Sequence, residues 1–153
     1  MKVYLVRHAD AGNRGEGSGP DELRPLSQKG WRQARGLAHL LGQEKIDQVL
    51  ASPYVRCIQT VEPLAEALGL PVRPKERLAE GSSWRDAMAM IAGVESPEVM
   101  CSQGDVISGI VDQLVRDGII LARDARWQKA STWVLTVKGG KIDKASYIPP
   151  PKD

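Results

Sequence analysis

From its first residues the chain alternates short apolar runs with segments whose apolar residues recur at helical spacing, and this alternation constrains the fold more than any other feature. Val3 to Val6, β-branched and aromatic, reads as a buried strand ending at Arg7 and His8. Residues 11–25, AGNRGEGSGPDELRP, are dense in Gly, Ser, Asp and Pro and read as a loop, long enough to suggest a functional one. Ser27 then caps a helix running to about Leu41, with Trp31, Ala34, Leu37, Ala38 and Leu41 on one face and Gly42 stopping it.

The pattern repeats along the chain. IDQVLASP is strand then turn, and VRCIQTVEPLAEALG is a helix ending at Gly69, with a kink or break expected at Pro63. LPVRPKERLAEG, with two prolines, is at most an irregular or edge strand. SSWRDAMAMIAG is a short helix opened by Ser82 or Ser83; EVMCSQG is a strand; DVISGIVDQLVRDG is a helix opened by Asp105. STWVLTVKGGKIDKASYI makes two strands joined by Gly139-Gly140, and PPPKD reads as an extended, loose tail. Strands alternating with helices predict an α/β three-layer sandwich with a largely parallel central sheet. No repeat, low-complexity tract or linker divides it, so residues 1–153 are expected to form one domain.

Composition excludes several classes of function. With 21 basic and 19 acidic residues spread along the chain, the net charge is +2 and no long run of like charge forms, which argues against nucleic-acid and membrane-surface binding. Phenylalanine is absent, so aliphatic residues must fill most of the core. Cys57 and Cys101 share no metal-ligand spacing and read as free buried thiols, consistent with a reducing cytoplasm. MKVYLVRHAD reads as neither a signal peptide nor a membrane span. The sequence leaves the oligomeric state open.

In parallel α/β sheets, ligands bind beyond the carboxyl ends of the strands. Those ends carry Arg7-His8, then Ser52-Pro53 with Arg56 following, then Glu80, then Ser102-Gln103-Gly104. Two arginines and a histidine suit a tetrahedral phosphoryl group, because guanidinium forks donate charge-assisted hydrogen bonds to its oxygens and a neutral imidazole can attack phosphorus.

The ordered segments LVRHADA, RPLSQKG and LASPYVRCIQT resemble the histidine phosphatase superfamily, which also contains the cofactor-dependent phosphoglycerate mutases. The resemblance is nearest to the short bacterial phosphohistidine-phosphatase-like branch and extends to about residue 120. It implies a phosphoglycerate mutase-like fold and a phosphatase acting on a phosphorylated small molecule, nucleotide, phosphohistidine or phosphoprotein, with no metal and no organic cofactor. It makes His8 the nucleophile that becomes phosphorylated, Arg7 and Arg56 the phosphate clamps, and Glu80 a proton donor to the leaving group. A solvated carboxylate is the competing reading of Glu80. Ala9 stands where Gly is commoner. Asp10 reads as a turn residue, Arg24 as an ion-pair partner, and His39 as a helix residue outside any motif.

The family's second histidine is replaced by Gln103. In that place Gln103 is expected to bind the phosphate with Arg7 and Arg56, since glutamine can donate to a phosphate oxygen, but it cannot carry a charge or pass a proton. By analogy with removal of an oxyanion donor, the loss is worth on the order of 10² to 10³ in rate. Tuning to another substrate, decay to a phosphate- or phosphoprotein-binding regulatory module, and engineering compete as origins; retention of Arg7, His8 and Arg56 favours the first. CSQG and the STWVL strand also resemble phosphatase-like domains that follow a Nudix hydrolase domain, which implies a native glutamine and admits a nucleotide-type phosphate as substrate.

Overall fold

The computed structural model describes residues 1–13 and 19–152, and the expected loop at 11–25 therefore lies partly outside the described residues. Its strands are β1 (Lys2–Arg7), β2 (Gln48–Ala51), β3 (Val72–Pro74), β4 (Glu98–Ser102), β5 (Thr132–Lys138) and β6 (Lys141–Ile148). The helices are α1 (Gln28–Leu41), α2 (Val55–Leu68), α3 (Trp84–Ala92) and α4 (Gly104–Arg116). The six strands form one sheet in the order β3-β2-β4-β1-β5-β6. β3, β2, β4 and β1 run parallel, and the β5-β6 hairpin adds two antiparallel strands beside β1. This is the expected α/β sandwich.

Period-two alternation along β1 builds both layers. Tyr4 and Val6 pack with Ala34 and Leu37 of α1 and Val61 and Leu64 of α2. Val3 and Leu5 pack on the opposite face with Ile91 of α3 and Ile107 and Ile110 of α4. Each such aliphatic side chain stabilises the fold by about 1.5–3 kcal/mol on burial, and β1, buried on both faces, is the natural centre of the sheet. The two-proline segment supplies β3 at the sheet's edge, where a missing N–H is tolerated.

Helix ends follow the sequence closely at α1, where the Ser27 hydroxyl accepts the Gly30 N–H at 3.0 Å. At α3, Ser83 rather than Ser82 takes the capping position. α2 runs through Pro63 without interruption and ends at Gly69 in the left-handed conformation, φ +70°. Besides the break expected at Pro63, two further expectations are corrected. Asp105 does not open α4; Gln103 occupies the capping position, with no hydrogen bond from its side chain to the helix. The tail is not loose at Pro151, whose ring lies against Gly36 of α1, where an added Cβ would come within 2.5 Å of Pro151 Cβ.

Candidate active site

The parallel register of β1 on β4 sets Arg7 opposite Ser102, and the His8 N–H donates to the Ser102 carbonyl at 3.1 Å. Both strands therefore end together, and the segments that leave them enclose a cleft of about 530 Å³. Arg7, His8, Arg24, Arg56, Glu80 and Lys129 line it.

His8 Nδ1 lies 2.8 Å from the Ala9 carbonyl oxygen. A carbonyl only accepts, so Nδ1 carries the hydrogen and Nε2 keeps its lone pair. Burial pushes the pKa of His8 down to about 4; the hydrogen bond to Ala9 opposes this, and the charges of Arg56, Arg7 and Lys129 add to it. At neutral pH the ring is uncharged, with a fixed tautomer and a free lone pair on Nε2. Ala9 is itself held by its N–H to the Thr60 hydroxyl at 2.9 Å, and that hydroxyl donates to the Arg56 carbonyl at 2.6 Å. This small network couples the strand end to the helix that carries Arg56.

Both arginines are held through their terminal nitrogens. Arg7 Nη1 donates to the Trp127 carbonyl at 2.8 Å. Its guanidinium lies over Gly104, where a Cβ would sit 3.1 Å from Nη2, so glycine lets α4 begin directly beneath it. Arg56, 1% exposed, donates through Nη1 to the Asp21 carbonyl at 2.9 Å and through Nη2 to Asp21 Oδ2 at 3.0 Å and Glu80 Oε1 at 3.4 Å. Among the described residues, the Nε–H of Arg7 and the Nε–H of Arg56 are buried without a hydrogen-bond partner. Unpaired buried donors are costly, and their presence in pairs beside a histidine marks a place for an anion.

The site residues read from the sequence are distributed as follows. Arg7, His8, Arg56 and Glu80 meet at the cleft. Gln103 directly precedes Gly104 and Asp105, which reach the cleft; its side chain is 1% exposed, and among the described residues both its Oε1 and its Nε2 lack a partner. Arg24 pairs with Asp21 at 3.0 Å and also lines the cleft. Asp10 acts within the backbone turn, accepting the Ser27 hydroxyl at 2.6 Å and the Gly12 N–H at 3.4 Å. His39 is exposed on α1, and Cys57 and Cys101 are buried free thiols. Among the described residues, no group of three or more His, Cys, Asp or Glu side chains is arranged to hold a metal ion, and no helix is long and apolar enough to cross a membrane.

A family model of the histidine phosphatase superfamily (branch 1) matches residues 3–87, more than half of the chain. The chain belongs to the histidine phosphatase superfamily. It is 34% identical over 157 aligned positions to the 8-oxo-(d)GTP phosphatase of Mycolicibacterium smegmatis, an alignment covering 99% of this chain and 49% of that protein. It is 37% identical over 73 positions to the phosphohistidine phosphatase SixA of Escherichia coli, covering 46% of this chain and 44% of that protein. The chain thus spans about half or less of these curated relatives. The solved structure of the protein histidine phosphatase SixA complexed with tungstate superposes with a TM-score of 0.75 at 22% identity, covering 99% of this chain and 96% of that one, and establishes the shared phosphoglycerate mutase-like fold.

Sequence reasoning missed three residues that line this histidine phosphatase cleft or hold its arginines. Asp21 bridges Arg24 and Arg56 from a short 3₁₀ turn, and Asp105 holds the Glu80 turn by accepting the Gly81 N–H at 2.8 Å. Lys129 reaches the cleft from the segment before β5. None belongs to a motif the sequence could display, because each arrives from a loop or a helix's first turn whose path only the fold fixes.

Proposed function

We propose that the chain is a metal-independent phosphatase that works through a covalent phosphohistidine on His8. The observation that carries this reading is the pairing of a neutral, tautomer-fixed His8 with two unpartnered arginine Nε–H donors on one cleft. His8 Nε2 attacks phosphorus, forming the N–P bond as the P–O bond to the leaving group breaks. Arg7 and Arg56 donate to the non-bridging oxygens, where charge accumulates. Glu80, when protonated, gives its proton to the departing oxygen. Its carboxylate then takes a proton from the water that attacks phosphorus, so that the N–P bond breaks and orthophosphate, neutral His8 and protonated Glu80 are released. Gln103 supplies an amide donor where a second histidine is commoner.

The substrate class is a phosphorylated small molecule, with a nucleotide favoured over a phosphoprotein. The relative named 8-oxo-(d)GTP phosphatase aligns along nearly the whole chain, whereas SixA aligns along less than half. Buried free thiols suit a reducing compartment, and we place the protein in the cytoplasm.

The test is hydrolysis of p-nitrophenyl phosphate and a nucleotide panel, with acid-quench trapping of phosphoenzyme, in wild type and His8→Ala. Turnover and acid-labile label present in wild type and absent in the variant support the reading. Phosphate binding that survives His8→Ala, in a wild type without turnover, would instead make the chain a phosphate-binding regulatory module.

A further inference from the structure

A second basic cleft, of about 610 Å³, adjoins the first and shares Lys129 with it. Its cations are Lys29 at the start of α1, Lys129, and Lys152 in the tail docked on α1. Among the described residues its one carboxylate, Asp10, already accepts the Ser27 hydroxyl at 2.6 Å and sits 3.8 Å from Lys129 Nζ. Three lysines against one committed carboxylate leave this cleft positive beside the cleft of His8.

Lys129 stands between the two clefts because of a specific backbone device. Ala130 is fully buried at φ +65°, among the described residues the one non-glycine in the left-handed region, a conformation that residues with a Cβ rarely adopt. Its N–H donates to both the Arg7 carbonyl at 3.0 Å and the His8 carbonyl at 3.1 Å. The Arg7 N–H in turn donates to the Ser131 carbonyl at 3.0 Å, and the Ser131 hydroxyl donates to the Gln128 carbonyl at 2.6 Å. The segment carrying Lys129 is thus fastened directly to the strand end that carries His8. Among the described residues its ammonium nonetheless has only a long ion pair, with Asp10.

We propose that Lys129, with Lys29 and Lys152, forms a subsite for a second phosphate bonded next to the one transferred, so that the preferred substrate carries a diphosphate, as a nucleoside diphosphate does. The proposal rests on the phosphatase reading and names its substrate class. A second phosphate bearing additional negative charge gains from two or three ammonium groups lining one cleft, whereas a lone phosphomonoester is already satisfied by Arg7 and Arg56.

Two measurements keep the subsite separable from catalysis. Calorimetric titration of His8→Ala protein with inorganic pyrophosphate and orthophosphate reads binding without turnover. Pyrophosphate is expected to bind at least tenfold tighter, and Lys129→Ala or the double variant Lys29→Glu/Lys152→Glu, made in that background, to reduce the advantage to about threefold or less. Lys141→Ala, at the distant β5-β6 hairpin, controls for general charge and should leave the advantage in place. In the active enzyme the kcat/KM ratio of GDP over GMP should fall with the same lysine variants, and Lys129→Arg should retain it. Equal affinity for the two anions, or an advantage that survives both lysine variants, overturns the subsite even where hydrolysis is intact. If wild type hydrolyses nothing, the phosphatase reading fails while the titration still decides the subsite. If GMP and GDP turn over equally while an acidic phosphopeptide is preferred over both, the diphosphate assignment is also overturned.

Discussion

Asp105 Oδ2 accepts the Gly81 N–H at 2.8 Å, so the first turn of α4 holds the turn that presents Glu80. Gly81 sits at φ +86° and Glu80 Oε1 lies 3.4 Å from Arg56 Nη2, so the fastening of that turn contributes to the position of Glu80. A proton donor matters most when the leaving group is a poor one. Asp105→Ala is therefore expected to lower kcat about tenfold on an alkyl phosphate and little on p-nitrophenyl phosphate. Asp105→Asn, whose amide oxygen still accepts from Gly81, should stay near wild type. Equal losses on both substrates, or an Asn variant as impaired as the Ala variant, would remove Asp105 as a positioning residue for Glu80.

His8 links activity and stability to pH with a defined sign. Its folded pKa of about 4 lies below the ordinary 6.5, so between these values the unfolded chain binds a proton that the folded chain does not. The contribution to stability is complete above pH 6.5 and is lost as pH falls through 4, amounting to about 3 kcal/mol from the linkage relation. Urea titrations of wild type and His8→Ala at pH 7 and pH 4.5 should show the wild type losing more. The acid limb of kcat/KM should fall near pH 4, where Nε2 loses its lone pair to a proton. An acid limb near 6.5 would contradict the buried, neutral ring.

The sheet and its helices were legible because their signals are local: β1 is an unbroken apolar run, and Ser27 and Gly69 mark helix ends through their own backbone chemistry. Arg7, His8, Arg56 and Glu80 were legible for a different reason, since parallel strands must deliver their carboxyl ends to one edge of the sheet. Asp21, Asp105 and Lys129 were not, because their contacts join segments distant in sequence: Asp21 to Arg56, Asp105 to Gly81, and the Lys129 segment to the end of β1. Gln103 shows both cases at once. Its place at the end of β4 followed from the strand pattern, but the burial of its unpartnered amide, seen among the described residues, depends on how α4 starts beneath Arg7.

Two helix glycines that look alike in sequence should respond oppositely to alanine. In an open helix Gly→Ala gains up to about 1 kcal/mol. At Gly30 an added Cβ collides with the Asp10 carbonyl oxygen, part of the turn just beyond His8. Backbone on both sides leaves nothing to yield cheaply, and Gly30→Ala is expected to destabilise by about 1–3 kcal/mol and to lower turnover. At Gly36 the Cβ meets the ring of Pro151 in the terminal segment, which can shift at the cost of its own docking. Gly36→Ala should stay within about 1 kcal/mol of wild type, since helix propensity offsets the lost contact. Denaturant midpoints that rank the two variants in the reverse order would show that Asp10 is not held against α1 as described.

Gln103 is the one side chain among the described residues that is almost fully buried with every polar atom of its amide unpartnered. Burying an unpaired amide costs about 1–3 kcal/mol, and on the proposed reading the arriving anion satisfies it. Gln103→Met keeps the shape and removes the cost. The free variant is expected to be more stable than wild type by about 1–3 kcal/mol, a rise of several degrees in Tm for a chain of this length. Vanadate or orthophosphate should then raise the Tm of the wild type distinctly more than that of Gln103→Met, because only the wild type gains hydrogen bonds to Gln103 when the anion binds. An equal anion response in the two proteins would mean that Gln103 makes no contact with the phosphoryl group, and the tuning of this site would have to be sought in Lys129 and the segment that carries it.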